Sequence, residues 1–213
     1  AVAGSENFDP RLHAIPGFAS RELRYLIHEL CSLVESPRYL EVGVFFGATF
    51  SAAMQGKDGV SVGVDNFAEF GEGSRLISSG GTLLSTDCKP KRQMIQGIMY
   101  EWGKGNALFY EQEQLSISLD LLREKTGGVN IFFYDGGHSA DATARGIEYF
   151  SAAFQDDLIL VVDDYNDLEV VRGTQEGLRK IPFVVVDELL FKRRESEKDP
   201  YNYGVYTAVL QRK

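Results

Sequence analysis

A chain of 213 residues is long enough for one sizeable core, as a single domain or a domain with an extension. Hydrophobic residues make up 44% and charged residues 25%, the ordinary composition of a soluble globular protein. A formal net charge of −9 with no dominant basic stretch argues against a protein that tracks nucleic-acid phosphates, so no nucleic-acid partner is expected.

Cys31 and Cys88 are too few for a disulfide framework or a cysteine zinc site, and a reducing cytoplasm is the default expectation. No apolar run approaches the ~20 residues of a membrane span, and Ala1 to Asn7 lacks the basic and apolar blocks of a secretory signal. No membrane partner is expected.

Ala1 to Phe18 reads as irregular, punctuated by Pro10, Pro16 and Gly17. Ser20 is placed to cap a helix over about 20–36, with Glu22 in its first turn. Leu23, Leu26, Ile27, Leu30, Cys31 and Val34 recur at helical spacing, and Pro37 ends the run. His13 and His28 have no obvious partner and read as surface or helix-packing residues.

Tyr39 to Val44 then forms an apolar run broken only by Glu41, followed by a glycine turn and a small-residue helix from Ala48 to Met54. Gly43 and Gly47 are positions where the backbone could take positive φ or let a ligand approach. The spacing is Glu-x-Gly-x-x-x-Gly, not the G-x-G-x-x-G of dinucleotide-binding proteins. After the turn Gly56–Gly59, Val60 to Asp65 is a second strand. Asp65 stands at its end, about where nucleotide folds place a ribose-binding carboxylate; a plain turn-capping aspartate is the alternative.

Residues 68–104 are too long for a simple connection. Gly and Ser dominate first, then the basic run Lys89 to Arg92, then a helix over about Pro90–Trp102. Excess chain of this kind inside an α/β unit reads as a lid or binding loop, or as a disordered insertion. Asn106–Tyr110 is a third strand, and Leu115–Lys125 a helix capped by Gly127-Gly128. Val129–Asp135 is a fourth strand whose nearly continuous apolar run suits the centre of a parallel sheet. A helix over Ser139–Phe154, a strand over Leu158–Asp164 and a helix over Asp167–Lys180 follow. Phe183–Leu190 and Val205–Leu210, separated by the charged loop Lys192–Asn202 with no helix between, should pair antiparallel.

The order predicts one α/β domain spanning 1–213. Its core is a single doubly wound, mostly parallel seven-stranded sheet with a C-terminal antiparallel hairpin strand, preceded by an accessory helix and interrupted by the 68–104 insertion. Ligands bind such sheets outside the carboxyl ends of the strands. Asp65, Asp135, Asp163 and Asp164 all fall there, and such carboxylates repel unless something neutralises them. A hard divalent cation such as Mg²⁺ suits an oxygen-only set. Capping of the helix after the fifth strand is the alternative for Asp163 or Asp164.

The Glu41–Gly43–Gly47 turn resembles the first motif of class I S-adenosylmethionine (SAM)-dependent methyltransferases. Asp135-Gly136-Gly137-His138 resembles their Asp-Gly-x-His segment, and Asp163-Asp164-Tyr165 the Asp-Asp-Tyr segment of macrocin-type sugar O-methyltransferases. The likeness is to small O-methyltransferases of the catechol and macrocin types. It implies a SAM site built by Glu41, Gly43, Gly47, Thr49 and Asp65, with Glu111 and Gln112 toward the adenine edge. It implies metal ligation by Asp135, Asp163 and Asp164. His138, three residues past Asp135, is a side chain able to take a proton near neutral pH, and the two are the expected catalytic pair; a histidine that bonds its own loop or caps the helix starting near Ser139 is the alternative. Catechol-type enzymes carry a lysine where His138 stands, which leaves the acceptor open. The expected reaction is methyl transfer to a hydroxyl of a small molecule. A homodimer is compatible with this reading. A non-catalytic SAM-binding protein and a nicotinamide-dependent oxidoreductase remain as rivals.

Overall fold

Seven strands align in the order β5-β2-β1-β6-β7-β9-β8. The computed structural model describes residues 7–56, 58–68, 75–77, 83–85, 88–191 and 204–213. In chain order its elements are α1 (Arg21–Leu33), β1 (Arg38–Val42), α2 (Ala48–Met54), β2 (Val60–Asp65), β3 (Arg75–Ile77), β4 (Leu83–Ser85), α3 (Cys88–Trp102) and β5 (Ala107–Glu111). There follow α4 (Leu119–Thr126), β6 (Val129–Tyr134), α5 (Ala140–Phe150), β7 (Phe154–Val162), α6 (Leu168–Lys180), β8 (Phe183–Phe191) and β9 (Val205–Arg212).

β5, β2, β1, β6 and β7 run parallel, while β9 is antiparallel to both of its neighbours, β7 and β8. The chain builds outward from β1 through β2 to β5, then returns to lay β6 on the other side of β1. That reversal makes a switch point at the carboxyl ends of β1 and β6, where open α/β sheets leave a crevice.

The pleat divides the core between the two faces. Tyr39, Ile131, Phe133 and Val161 pack with Leu23, Ile27, Ala53, Ile95 and Ile98 from α1, α2 and α3. Leu40, Val42, Phe132, Tyr134, Leu160 and Val162 pack with Leu122, Ile147, Phe150 and Val170 from α4, α5 and α6. The central strands are buried on both faces, which is why they read as nearly continuous apolar runs.

Two helix boundaries and one strand pairing differ from expectation. The helix expected from Leu115 begins at Leu119, because the Ser118 hydroxyl caps it through the Leu121 amide and Gln114–Ser116 closes as a single 3₁₀ turn. The helix expected to reach Phe154 ends at Phe150 in another such turn, and β7 begins at Phe154, which pairs with Val129. The 68–104 region carries the antiparallel pair β3–β4 ahead of α3, a pairing that three-residue strands do not announce in sequence. The charged loop Lys192–Asn202 lies outside the described residues.

Candidate functional site

A cavity of about 650 Å³ opens at the carboxyl ends of β1, β2, β6 and β7. Its walls come from the turn after β1, Asp65, the segments after β6 and β7, Lys91 of α3, and the segment Pro16–Ser20 ahead of α1. Hydrogen bonds continue the ladder beyond the strands: the Gly43 amide donates to Val64 at 2.9 Å, Asp135 to Val42 at 2.8 Å and Asp163 to Tyr134 at 3.1 Å. These bonds set the turn residues and the acidic segments level at one rim.

Gly43 has φ 89°, and a Cβ there would stand 1.8 Å from the Asp135 carbonyl oxygen. Only glycine allows the chain after β1 and the chain after β6 to approach so closely. Phe45 follows at φ 51°, a left-handed conformation that costs a bulky residue energy and needs external support. Asp65 supplies it: the Phe45 amide donates to Oδ2 at 2.7 Å, and the Phe67 amide donates to Oδ1 at 2.6 Å. Burial pushes the Asp65 carboxyl up and the amide donors pull it back, with a net rise. Each oxygen keeps a second lone pair for a ligand.

Four residues of the expected cofactor set, Glu41, Gly47, Glu111 and Gln112, stand away from the cavity lining. Glu41 is fully buried; Tyr39 donates to its Oε2 at 2.5 Å and Thr49 to its Oε1 at 2.7 Å. Burial raises the Glu41 carboxyl to about 8. Glu41 thus ties β1 to the start of α2 from inside the core, and Thr49, although at the cavity wall, has its hydroxyl proton on Glu41. Gly47 has φ 84°, and its absent side chain faces Ile98 and Ile95 of α3. Its conformation serves the helix entry, and its close packing is against α3. Glu111 and Gln112 lie outside the lining as well, with Glu111 paired to Arg92. Gly43, Thr49, Asp65, Asp135, His138, Asp163 and Asp164 are brought together around the cavity.

At the opposite end from Asp65, ligand-capable atoms of Asp135, His138 and Asp164 all lie within 4.8 Å of one another. His138 Nε2 stands 3.0 Å from Asp164 Oδ2. This group differs from the expected metal set by one member, with His138 in the place of Asp163. Successive side chains leaving a strand point to opposite sides, so consecutive aspartates after β7 do not share a direction; Asp164 itself has φ 53°. Burial, then the neighbouring Asp164 charge, raises the Asp163 carboxyl to about 7. Two carboxylates and an imidazole are a donor set that fits a divalent cation. Ser139 caps α5 and Asp167 caps α6, so His138, Asp163 and Asp164 do not serve as caps.

The N-terminal wall was not anticipated. Phe18 stacks on Phe45 with ring centroids 5.5 Å apart and planes 18° apart. Arg24 of α1, buried, pins this segment by donating to the Leu12 carbonyl at 2.5 Å and the Ala19 carbonyl at 3.2 Å. Lys91 reads in sequence only as part of a basic run; its spacing of four and seven residues from Ile95 and Ile98, on the apolar side of α3, is the available signal.

No protein-family model matches the chain, and no curated protein sequence matches it. Solved structures do match in shape. The O-methyltransferase TomG of Streptomyces achromogenes, involved in tomaymycin synthesis and solved with SAM, superposes with a TM-score of 0.66 at 14% identity, over 100% of this chain and 93% of that one. An O-methyltransferase of Bacillus cereus solved with S-adenosylhomocysteine (SAH) gives 0.61 at 12% identity, over 94% and 86%. A tRNA (uracil-54, C5)-methyltransferase of Pyrococcus abyssi gives 0.54 at 11%, over 89% of this chain and 38% of that one. The chain has the Rossmann-like fold of the class I methyltransferases.

Proposed function

We propose that this protein is a SAM-dependent O-methyltransferase acting on a small hydroxylated acceptor. The observation that carries the reading is one cavity holding both halves of such a site. The Gly43–Phe46 turn and Asp65 stand toward β2, and the Asp135–His138–Asp164 group stands toward β7.

SAM bound there supplies a methyl group on a sulfonium, whose C–S bond breaks as the C–O bond to the acceptor forms, leaving a neutral thioether. The chain's task is to position two reactants and take a proton. Gly43 leaves the β1 turn open to backbone approach, and Asp65 offers carboxylate lone pairs to ribose hydroxyls. His138 takes the hydroxyl proton of the acceptor, and Asp164, hydrogen-bonded to its Nε2, orients the ring and stabilises the imidazolium. The acids Asp135, Asp163, Asp164 and Asp167 line the acceptor end. They repel phosphates, which favours a small acceptor over a nucleic acid.

A second reading of the same group has its own support in the 4.8 Å clustering of Asp135, His138 and Asp164. These three residues would hold a hard divalent cation, whose charge would lower the pKa of the acceptor hydroxyl. Metal titration of the wild type and of His138→Ala separates the two roles: a site lost with His138 makes it a ligand, and no site leaves it a base. Calorimetry with SAH, then with NAD, tests the parent reading. Binding of SAH and not NAD is expected; a folded protein that binds no SAH overturns it.

A further inference from the structure

Among the described residues lining the cavity, Lys91 is the one lysine or arginine. It comes from α3, in the insertion, and is 1% exposed. Its ammonium donates to the Phe67 carbonyl at 3.3 Å and sits 5.0 Å and 5.6 Å from the ring centroids of Phe67 and Phe45. An ammonium has three protons to donate. One long hydrogen bond and two aromatic faces offset only part of the cost of burying such a charge. No carboxylate among the described residues lies within ion-pair distance of it. The neighbouring carboxylate, Asp65, acts on it only from further away and already accepts two backbone amides.

We propose that Lys91 is a cofactor-binding residue that donates to the oxygen of a ribose hydroxyl whose own proton goes to Asp65. The inference rests on the SAM reading above and adds a residue to it. A group seated between an ammonium and a carboxylate must accept from one and donate to the other, and a hydroxyl does both. A phosphate would meet Lys91 but face Asp65, a like charge at close range. An apolar group would leave both charges desolvated and unpaired. The pair therefore selects an unphosphorylated ribose. It also draws the insertion helix into the cofactor site, because Lys91 reaches the cavity from α3 while Phe45 and Phe67 flank it from the ends of β1 and β2.

The test is calorimetry of the full chain with SAH and with its 2′-deoxy and 3′-deoxy analogues, on wild type, Lys91→Arg and Lys91→Met. Methionine keeps the length and removes the charge. Lys91→Met is expected to bind SAH at least about tenfold more weakly, as loss of a charge-assisted hydrogen bond implies. One deoxy analogue should bind wild type more weakly and be insensitive to Lys91→Met. Lys91→Arg should recover part of the SAH affinity. The melting temperature of ligand-free Lys91→Met should equal or exceed that of wild type, since a poorly paired buried charge is removed. Unchanged SAH affinity in Lys91→Met, or an equal loss for SAH and both analogues, overturns the assignment. A lowered ligand-free melting temperature with SAH affinity retained makes Lys91 a structural residue instead. If Lys91→Met fails to fold, the wild-type comparison decides, and equal affinity for all three ligands sinks the proposal. Absence of SAH binding by wild type removes the cofactor reading itself, and is seen before any variant is made.

Discussion

The Phe45 amide donates to Asp65 Oδ2 at 2.7 Å, so the carboxylate ending β2 holds the turn after β1 in its left-handed conformation. Asp65 is therefore part of the scaffold before any ligand arrives. Asp65→Ala should lose about 2 kcal/mol of stability, since hydrogen bonds to charged acceptors contribute ~1.5–3 kcal/mol each and removing a buried carboxylate returns some of that. Urea denaturation of the ligand-free protein measures it. Stability equal to wild type would show that the turn does not depend on Asp65.

Gly43 and Gly56 both have positive φ, but only Gly43 is crowded. Gly56→Ala should cost ~1 kcal/mol from backbone strain alone. Gly43→Ala meets the Asp135 carbonyl as well, and should cost more than ~3 kcal/mol or abolish folding. Parallel denaturation curves of the two variants compare them directly; similar costs would mean that the β1 and β6 chain ends separate easily.

Glu41 gives a pH dependence of defined sign. Its folded carboxyl is raised from 4.5 to about 8. Its contribution is therefore full below the unfolded value and is lost progressively as pH rises through about 8. Wild type should lose stability relative to Glu41→Gln between about pH 5 and pH 8, by up to a few kcal/mol at ~1.4 kcal/mol per unit. Denaturation at three pH values suffices, and a constant difference would show that Glu41 is ionised throughout. Because Glu41 stands behind the cavity wall, Glu41→Gln should bind SAH within about threefold of wild type. Loss of binding would return Glu41 to the contact role expected from the motif.

His138→Ala and Asp164→Asn should each leave the ligand-free melting temperature near wild type, since neither residue caps a helix. Turnover with an acceptor found by screening catechols and sugars, read as SAH release, should fall roughly 10²–10⁴-fold in His138→Ala. A near-wild-type rate would remove His138 from the chemistry.

Arg24 holds the N-terminal wall through the Leu12 and Ala19 carbonyls. Arg24→Met should raise the rate of chymotrypsin cleavage at Phe18 several-fold while leaving the sheet intact by circular dichroism. Equal cleavage rates would show that the Phe18–Phe45 stack and Leu12 burial hold the segment without it.

The mostly parallel sheet could be read in the sequence because its central strands are buried on both faces and so write themselves as nearly continuous apolar runs. Ile131–Tyr134 and Leu158–Val162 are the clearest cases. The glycine turn and the acids after three strands were legible for a related reason: the carboxyl ends of parallel strands share one rim in this topology, so linear position implies spatial position. Linear position does not say which way a side chain points once the strand has ended. Asp163 and Asp164 are adjacent in sequence and both line the cavity, yet only Asp164 joins the close group with Asp135 and His138. Glu41 lies on a buried strand, and only the pleat decided that it faces Tyr39 and Thr49 in the core instead of the cavity. The walls contributed by Pro16–Ser20 and Lys91 were hidden for a third reason. They come from segments far from the glycine turn in sequence, and only the packing of α1 and α3 against the sheet brings them to it.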